Sequence, residues 1–334
     1  MKLWPDQKPY YSANQYYRQI FGKKVYKISL DIGCTCPTRD GTKGVGGCTF
    51  CSARGSGDFA IAGPMSIREK IDSAIQMVTS KNSSNSYIAY LQSFTNTYGP
   101  VEILVPIYEE ILADERVVGL SIGTRPDCIP NEMIKELGRL SKIKPIWVEL
   151  GLQTIHQKTA TLFHRGYDLP VYEDAVARLN QAVIPIIVHL IVGLMGETYD
   201  DFMATIDYMA NQPVSGIKLS MLHILKDSLL YKEYLEKPFP LLDETTYIKW
   251  VAEAITRLPP EMVIHRVTGD GNRKNLVAPK WSAYKRHVLN GLLHYMTGHG
   301  MFQGLKVTLL KQAKTEKGMK NVVICEQYLH NSTV

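Results

Sequence analysis

Short apolar, β-branched segments alternate with segments of helical periodicity through the first two thirds of the chain. The apolar segments predict strands, and the segments between them, in which apolar residues recur every three or four positions, predict helices. The predicted strands are 25–31, 87–91, 117–122, 146–150, 186–192 and 217–222. The predicted helices are 67–78, 101–112, 131–140, 157–163 followed by 172–182, and 200–209.

Strands that alternate with helices in steps of roughly thirty residues predict βαβ units with parallel pairing and right-handed crossovers. Six such units form either a doubly wound sheet or an incomplete barrel, and periodicity alone does not distinguish them. In both architectures ligands bind at the carboxyl ends of the strands. A loop rich in Gly and Cys follows the first predicted strand, so we expect a functional site where this loop meets the strand ends.

The pattern changes after residue 225, where a helix is predicted over 243–258, a strand over 262–267 and a long helix over about 281–297. We therefore divide the chain into a basic, Tyr-rich N-terminal arm (1–24), an α/β core (25–230) and a basic α/β C-terminal extension (231–334). The extension is expected to contact the substrate.

The chain has 334 residues, of which 45% are apolar and 21% are charged. This composition is typical of a globular protein and excludes a disordered chain or a small disulfide scaffold. The longest apolar stretch, 183–195, contains His189 and is too short to cross a bilayer. The N-terminal residues lack the pattern of a secretory signal. We expect a soluble, cytoplasmic protein without membrane contact.

Charge is distributed unevenly along the chain. Residues 1–43 contain eight Lys and Arg against three Asp and Glu, residues 271–320 contain ten against one, and acidic residues predominate between them. The second basic stretch also contains the apolar run 307–310 and four aromatic residues, Trp281, Tyr284, Tyr295 and Phe302. This pattern predicts a folded basic surface and favours a polyanion such as nucleic acid as partner.

The N-terminal arm adds a second aromatic cluster in a basic context. Its tyrosines are Tyr10, Tyr11, Tyr16 and Tyr17. Aromatic side chains in such a context either stack on unpaired bases or pack the arm onto the core. The sequence leaves both alternatives open.

Four of the six cysteines lie within 18 residues: Cys34, Cys36, Cys48 and Cys51. Such crowding in a cytosolic chain indicates metal or redox chemistry rather than structural disulfides. All four thiolates together match a tetrahedral zinc site. Three of them, spaced C-x11-C-x2-C, match a [4Fe–4S] cluster with one iron left open. The loop alone does not decide between these interpretations.

Seven longer motifs resemble one enzyme family in order and spacing: CPTRDGTKGVGGCTFC, YLQSFTNTY, GLSIGTRPD, VELGLQT, HLIVGLMGET, IHRVTGDG and APKWS. They are similar to radical S-adenosylmethionine (SAM) enzymes, and within these to the YtqA/YhcC-type subgroup related to the Elongator catalytic subunit. The resemblance implies an incomplete (βα)6 barrel. It also implies a [4Fe–4S] cluster held by Cys36, Cys48 and Cys51, with SAM on the fourth iron. Cys34 is then a packed thiol.

Polar and glycine residues at the strand ends are suited to bind SAM. Gln92, Ser93 and Asn96 are placed for its amino group. Thr124, Arg125 and Asp127 follow the third strand, and Arg125 is suited to clamp the carboxylate. The resemblance assigns contacts with the methionyl or ribose part to Glu149 and Gln153, which we also expect to act in catalysis. Gly193 and Gly196 permit close approach of the adenosyl group, and His223 and Leu225 border the adenine.

Several of these residues also have ordinary structural interpretations. GTRPD and GLMGE are consistent with capping and glycine turns, and His223 with a packed core histidine. Arg39 and Lys43 flank the cysteine loop as cluster-side cations or as solvated charges. His265, Arg266 and Asp270 either border the substrate entrance or pack.

Members of the Elongator group act on the wobble uridine of tRNA. The resemblance therefore implies conversion of 5-carboxymethylaminomethyl(-2-thio)uridine to the 5-aminomethyl form. Our hypothesis is hydrogen abstraction from the N-carboxymethyl methylene and loss of that two-carbon unit. The implied partners are tRNA and a small electron donor such as flavodoxin or ferredoxin. The competing hypotheses are a radical SAM enzyme with a small-molecule or protein substrate, and a zinc-binding RNA module.

Overall fold

A sheet of parallel strands forms the centre of the molecule in a computed structural model, which describes residues 3–79, 85–269 and 273–307. Within these ranges the strands are β1 (Tyr26–Leu30), β2 (Tyr87–Leu91), β3 (Val117–Thr124), β4 (Ile146–Gln153), β5 (Ile186–Val192), β6 (Gly216–Met221), β7 (Ile224–Leu225), β8 (Val263–Arg266) and β9 (Leu276–Ala278). Seven of them pair in the order β1-β2-β3-β4-β5-β6-β8, and every pair is parallel.

The order of the strands decides between the two predicted architectures. A doubly wound sheet reverses its strand order at a switch point, whereas here each new strand is added on the same side. The sheet curls into a half barrel, which confirms the predicted incomplete barrel and its six strands. A seventh strand, β8, lies in the predicted C-terminal extension and pairs with β6 of the same sheet.

Helices alternate with the strands along the chain, and those in the crossovers between strands cover the outer face of the sheet. The helices are α1 (Ala13–Phe21), α2 (Ile67–Thr79), α3 (Val101–Ala113), α4 (Asn131–Leu140), α5 (Gln157–Leu162), α6 (Leu169–Gln181), α7 (Tyr199–Met209), α8 (Leu229–Glu236), α9 (Glu244–Arg257) and α10 (Lys285–Gly298), with short 3-10 helices at Pro126–Cys128 and Lys280–Ala283. Polar caps begin some of them: Thr198 and Asp201 form a capping box on α7, and Asp243 caps α9.

The main hydrophobic core lies between the outer face of the sheet and the helices. Because strand side chains alternate between faces, Val148, Leu150 and Leu152 of β4 enter this core while Trp147 and Glu149 point into the barrel. The polar side chains in the barrel interior therefore come from alternate positions of the strands, those that face away from the hydrophobic core. None of the helices in the described part of the chain combines the length and apolar character needed to cross a bilayer.

The N-terminal arm packs against the barrel interior. Tyr17 is buried against Trp147, Ile88 and Ile187, and the Trp147 indole N–H donates to the Tyr16 hydroxyl at 3.0 Å. The backbone N–H of Ile264 in β8 donates to the Tyr11 carbonyl at 2.8 Å, which ties the arm to the edge of the sheet. Of the two roles considered for the arm tyrosines, the structure shows packing for Tyr16 and Tyr17, and Tyr10 is buried in the main core.

Candidate functional site

The cysteine loop leaves β1 and turns back over the carboxyl edge of the sheet. Gly41, Gly44, Gly46 and Gly47 all have positive φ, which permits the tight reversals between Cys36 and Cys48. A Cβ at Gly47 would lie 2.7 Å from the Nε of Arg39, so a side chain at this position would displace Arg39. The loop thereby brings three thiols, Cys36, Cys48 and Cys51, to the wall of one cavity.

Electrostatic conditions at these thiols favour ionisation at one of them. A contact with Cys48 lowers the pKa of Cys51 to about 7, against the effect of burial, and Ser56, Arg39 and Arg125 act in the same direction as Cys48. The pKa of Cys48 is raised well above its ordinary value by its contact with Cys51 and by burial. The two thiols therefore share one ionisation, as coupled neighbouring groups do.

Cys34 occupies a different environment from the other three cysteines of the loop. It packs against the main hydrophobic core, and burial raises the pKa of its thiol to about 11. The zinc site that the loop sequence left open needs Cys34 as the fourth ligand, but this thiol packs against the core and is not among the residues that line the cavity. Within the described ranges, no three His, Cys, Asp or Glu side chains converge on a position for a single metal ion.

The cavity has a volume of about 240 Å³ and lies over the carboxyl ends of β2 to β6. Besides the three thiols, it is lined by seven of the residues predicted to form the site. These are Gln92, Thr124, Arg125, Glu149, Gln153, His223 and Leu225. Gln153 has a positive φ of 65°, which directs the chain out of β4 at the cavity edge.

Four other predicted residues are not among those that line the cavity. Ser93 is buried against the backbone of Gly57, and the Asn96 side chain donates to the Gly123 carbonyl at 2.9 Å. Gly193 packs closely against Leu242, and Gly196 has a φ of 81° in the turn before α7. These positions support the strand ends, and their assignment to SAM stays a prediction.

Arg125, predicted as a carboxylate clamp, is paired with Asp127 in the same turn. Its Nε and Nη2 each lie 2.9 Å from one oxygen of Asp127, and the Lys43 ammonium lies 2.7 Å from Asp127 Oδ2. Burial opposes ionisation of Asp127, yet Arg125 and Lys43 hold its pKa below the ordinary value. The Arg125 guanidinium also lies 5.1 Å from the ring centre of Tyr167. Arg125 therefore pairs with Asp127, lies over the ring of Tyr167 and places its positive charge on the side of the cavity that carries the thiols.

Glu149 accepts hydrogen bonds from four side chains and has none of its side-chain surface exposed. Lys27 Nζ donates to Oε1 at 2.7 Å, His189 Nε2 lies 2.6 Å from Oε2, and Ser121 and Lys218 also donate to the carboxylate. Although burial opposes ionisation, Lys218 and Lys27 hold the pKa of Glu149 well below its ordinary value. Glu149 is the anionic centre of the barrel interior, and its predicted cofactor contact stays a prediction.

The sequence interpretation missed several residues that form this interior. Lys218 is inserted in the apolar strand β6 and donates to Glu149 and to the Tyr90 hydroxyl. Arg165 is buried and donates to the carbonyls of Leu152, Thr154 and Tyr167. A charged residue inside an apolar strand is the signal that would have identified Lys218.

The structure separates two of the three residues predicted at the substrate entrance. Arg266 lines the cavity, whereas His265 packs against Tyr16 and Tyr17. Asp270 lies outside the described residues, as does Cys325. Of the two loop cations, Arg39 lines the cavity and donates to the Ser52 carbonyl at 2.6 Å, and Lys43 pairs with Asp127.

A parallel half barrel with a thiol-lined cavity at its carboxyl edge defines an α/β enzyme of the partial-barrel class. Two family models match the chain: Radical SAM superfamily over residues 41–209, and Radical_SAM C-terminal domain over residues 214–297. The chain belongs to the radical SAM superfamily, whose enzymes use a [4Fe–4S] cluster, SAM and a reductant. The first match begins inside the cysteine loop, so it includes Cys48 and Cys51 but not Cys36.

Individual proteins give a finer comparison. The chain is 41% identical over 298 residues to the uncharacterized protein YtqA of Bacillus subtilis, covering 89% of this chain and 92% of that protein. It is 24% identical over 165 residues to a tRNA uridine(34) acetyltransferase of Methanocaldococcus infernus, covering 47% of this chain and 30% of the relative. These matches confirm the family resemblance deduced from the motifs.

A solved structure of Elp3 from Methanocaldococcus infernus, lacking its N-terminal residues, superposes with a TM-score of 0.61 at 16% sequence identity. The superposition covers 84% of this chain and 64% of that chain, so this protein spans less than two thirds of the solved one. At this identity the likeness shows a shared fold.

Proposed function

We propose that this radical SAM enzyme modifies the wobble uridine of tRNA. Its reaction would convert 5-carboxymethylaminomethyl(-2-thio)uridine to the 5-aminomethyl form. The motifs similar to the Elongator group, the fold shared with Elp3 and the partial match to a tRNA uridine(34) acetyltransferase support this assignment. The observation that carries the proposal is a basic segment joined to the rim of the cavity.

This basic segment comprises residues 273–307, which contain six Lys and Arg and no Asp or Glu. Its strand β9 pairs with β7, and Leu225 of β7 lines the cavity. Within the segment Tyr284 is 64% exposed, and the Arg273 guanidinium lies 5.9 Å from its ring centre. An exposed aromatic ring among cations can stack on an unpaired base while the cations contact phosphates. An RNA bound there would lie next to the cavity entrance.

The three thiols fit the cluster that the family uses. Cys36, Cys48 and Cys51 lie on one cavity wall, Cys34 is packed in the core, and the rest of the cavity remains available for a ligand of the open iron. We propose these three as the iron ligands. When bound, the cluster and SAM supply a 5′-deoxyadenosyl radical, which abstracts a hydrogen atom from the substrate.

The role of the chain is to position both partners and exclude water. Gln92, Thr124 and Gln153 present polar groups at the strand ends, where they would orient SAM. Arg125 adds a positive charge near Cys48 and Cys51, which favours the thiolate form of both. Tyr17 and Trp147 fill the half barrel behind these residues, which limits access of competing hydrogen donors.

We propose hydrogen abstraction from the N-carboxymethyl methylene as the step that begins loss of the two-carbon unit. Loss of one further electron and addition of water would then break the bond between the nitrogen and the methylene carbon, which leaves the amine on the uridine and releases the unit as glyoxylate. SAM, cleaved to methionine and 5′-deoxyadenosine, would take up the two electrons, and a small protein such as flavodoxin or ferredoxin would supply the electron that starts the reaction.

Mass spectrometry of tRNA nucleosides from a deletion strain tests this function. We expect 5-carboxymethylaminomethyl-type uridine to accumulate and the 5-aminomethyl-derived nucleosides to be depleted. Complementation with the wild-type gene and with a Cys34→Ala variant should restore the profile, whereas a Cys48→Ala variant should not. An unchanged wobble profile in the deletion strain would exclude this substrate and leave a small molecule or a protein in its place.

A further inference from the structure

Arg165 is a buried cation in the turn between α5 and α6. Only 1% of the residue is exposed, yet its side chain is part of the cavity wall. The guanidinium donates four hydrogen bonds of 2.7 to 3.1 Å, to the carbonyls of Leu152, Thr154 and Tyr167 and to the side-chain oxygen of Gln157. In the part of the chain that the structure describes, Arg165 is therefore bonded only to uncharged oxygens.

The positive charge of Arg165 lacks a compensating carboxylate. A guanidinium stays protonated at physiological pH, although burial disfavours the charge and lowers the pKa of Arg165. Among the described residues the cavity is lined by two carboxylates, Glu149 and Asp58, and neither forms an ion pair with Arg165. A buried charge without an opposite charge is unfavourable. An anion held in the cavity would therefore compensate Arg165.

The turn that contains Arg165 contacts the cysteine loop directly. The Thr49 N–H donates to the Phe163 carbonyl at 3.1 Å, and Cys48 Sγ lies 3.5 Å from the carbonyl oxygen of His164. Arg165 is the next residue of the chain, and it lines the same cavity as Cys48. The uncompensated cation therefore lies on the side of the cavity that carries the thiols.

A second guanidinium lies close to Arg165. The guanidinium carbons of Arg165 and Arg125 are 4.7 and 5.1 Å from the ring centre of Tyr167. Arg125 is paired with Asp127, whereas the described residues provide no such partner for Arg165. Repulsion between the two guanidinium groups adds to the unfavourable burial of Arg165. Both effects are relieved by negative charge at the thiols.

We propose that Arg165 supplies the counter-charge of the iron–sulfur cluster and thereby raises its reduction potential. Three thiolate ligands make such a cluster anionic, and its reduction adds a further negative charge, which a nearby cation stabilises. The inference rests on the cluster ligands named in the proposed function. It does not depend on the tRNA substrate, because it concerns only the uptake of an electron.

The carboxylate of SAM is the other anion expected in this cavity. Four N–H groups of Arg165 are engaged with the protein, which leaves one, whereas a bidentate contact with a carboxylate requires two. Arg125 contacts Asp127 through Nε and Nη2, and its Nη1 is not part of that pair. The hydrogen bonds therefore favour Arg125 as the carboxylate clamp and leave Arg165 to act through its charge.

An anaerobic redox titration of the reconstituted, SAM-free enzyme, followed by electron paramagnetic resonance, tests the proposal. At the midpoint potential of wild type, Arg165→Gln should lower the ratio of reduced to oxidised cluster about tenfold, which is a shift of about 59 mV for one electron. Arg165→Lys keeps the charge and should stay within about threefold of wild type. The control Arg139→Gln removes a charge from the surface of α4 and should not change the ratio.

A charge change of opposite sign gives a second test, which also decides the matter if Arg165→Gln does not fold. Asp127→Asn removes the carboxylate that Arg125 and Lys43 share, so it should raise the ratio of reduced to oxidised cluster about threefold or more. No change in this variant, or a decrease, would contradict control of the potential by charge on the thiol side.

Equal potentials for wild type and Arg165→Gln would overturn the proposal. An equal loss in Arg165→Lys would also overturn it, because hydrogen bonds rather than charge would then be responsible. A shift that appears only after SAM is added would assign Arg165 to the SAM carboxylate instead. If wild type holds no reducible cluster, the proposed cluster ligands fail, whereas an unchanged tRNA profile together with these shifts would refute only the proposed substrate.

Discussion

Lys218 Nζ donates to Glu149 Oε2 inside the barrel, where 4% of the lysine side chain and none of the glutamate side chain are exposed. The two residues come from β6 and β4, two strands apart in the sheet, and their side chains meet because both point inward. This pair organises the polar interior, since Lys27, Ser121 and His189 contact the same carboxylate. The contribution of this pair to the free energy of unfolding can be measured by removing one partner and then both.

Lys218→Met should destabilise the protein by about 3–5 kcal/mol, because it removes one of the cations that compensate a buried carboxylate. The double variant Lys218→Met/Glu149→Gln should recover at least half of this loss, because no buried carboxylate is then left with an incomplete set of partners. Urea unfolding followed by circular dichroism measures both free energies. A double variant less stable than Lys218→Met would contradict a charge-compensation role for the pair.

The stability of the protein should fall as the pH decreases from about 6.5 to about 4, in part because of His189. Burial lowers the pKa of this imidazole to about 4, with Lys218 and Arg266 acting in the same direction against Glu149. The unfolded chain therefore binds a proton that the folded protein resists, and stability is lost as the pH falls through this window. The contribution of Glu149 is lost at a lower pH than that of His189. Its depressed pKa stabilises the folded protein above about pH 4.5, and this stabilisation disappears as the pH falls further.

Urea midpoints measured between pH 7.5 and 4.5 test the His189 contribution. His189→Gln, whose amide can still donate to Glu149, should show a smaller decrease over this range than wild type. His287→Gln, which changes an exposed histidine on α10, should follow wild type. Parallel curves for wild type and His189→Gln would show that His189 titrates normally in the folded protein.

The six strands of the barrel were predictable because each is a short apolar run buried on its outer face. The seventh, β8, is only four residues long, and its membership of the sheet depends on pairing with β6, which local sequence does not reveal. The arm tyrosines illustrate the same limit. Tyr17 next to basic residues is compatible with RNA binding, and only the tertiary structure shows that its ring is buried against Trp147.

Some features of the site could be predicted from the sequence, and others could not. The cysteine spacing, the glycines and the polar strand ends are local features, and the structure brings ten of the predicted residues to one cavity. The pairing of Glu149 with Lys218 is not local, because 69 residues separate them. His189 and Lys218 were visible as polar residues in apolar strands, but their partner is defined only by the inward face of the sheet.

Tyr284→Ala and Arg273→Gln should weaken tRNA binding without lowering stability by more than about 0.5 kcal/mol, because both residues lie on the surface. Loss of a stacking ring should reduce affinity about 5- to 100-fold, and loss of Arg273 should lower the salt dependence of binding by about one counterion. Tyr17→Ala should instead lower the stability by about 3 kcal/mol or more, because its ring is buried. The folded fraction of this variant should bind tRNA with an unchanged dissociation constant. Filter binding at several salt concentrations, combined with urea unfolding, separates the two effects. Normal tRNA binding by both surface variants would place the RNA elsewhere.

Cys34→Ala should leave iron binding intact, whereas Cys48→Ala should abolish it. The Cys34 thiol is packed in the core with a raised pKa, and the other three thiols share the cavity wall. Because alanine differs from cysteine by one buried sulfur, Cys34→Ala should cost only about 1–2 kcal/mol of stability. Iron and zinc analysis after anaerobic reconstitution measures the metal bound by each variant, and absorption near 400 nm reports the cluster. Loss of metal in Cys34→Ala, with zinc rather than iron in wild type, would identify a four-thiolate site and contradict the cluster assignment.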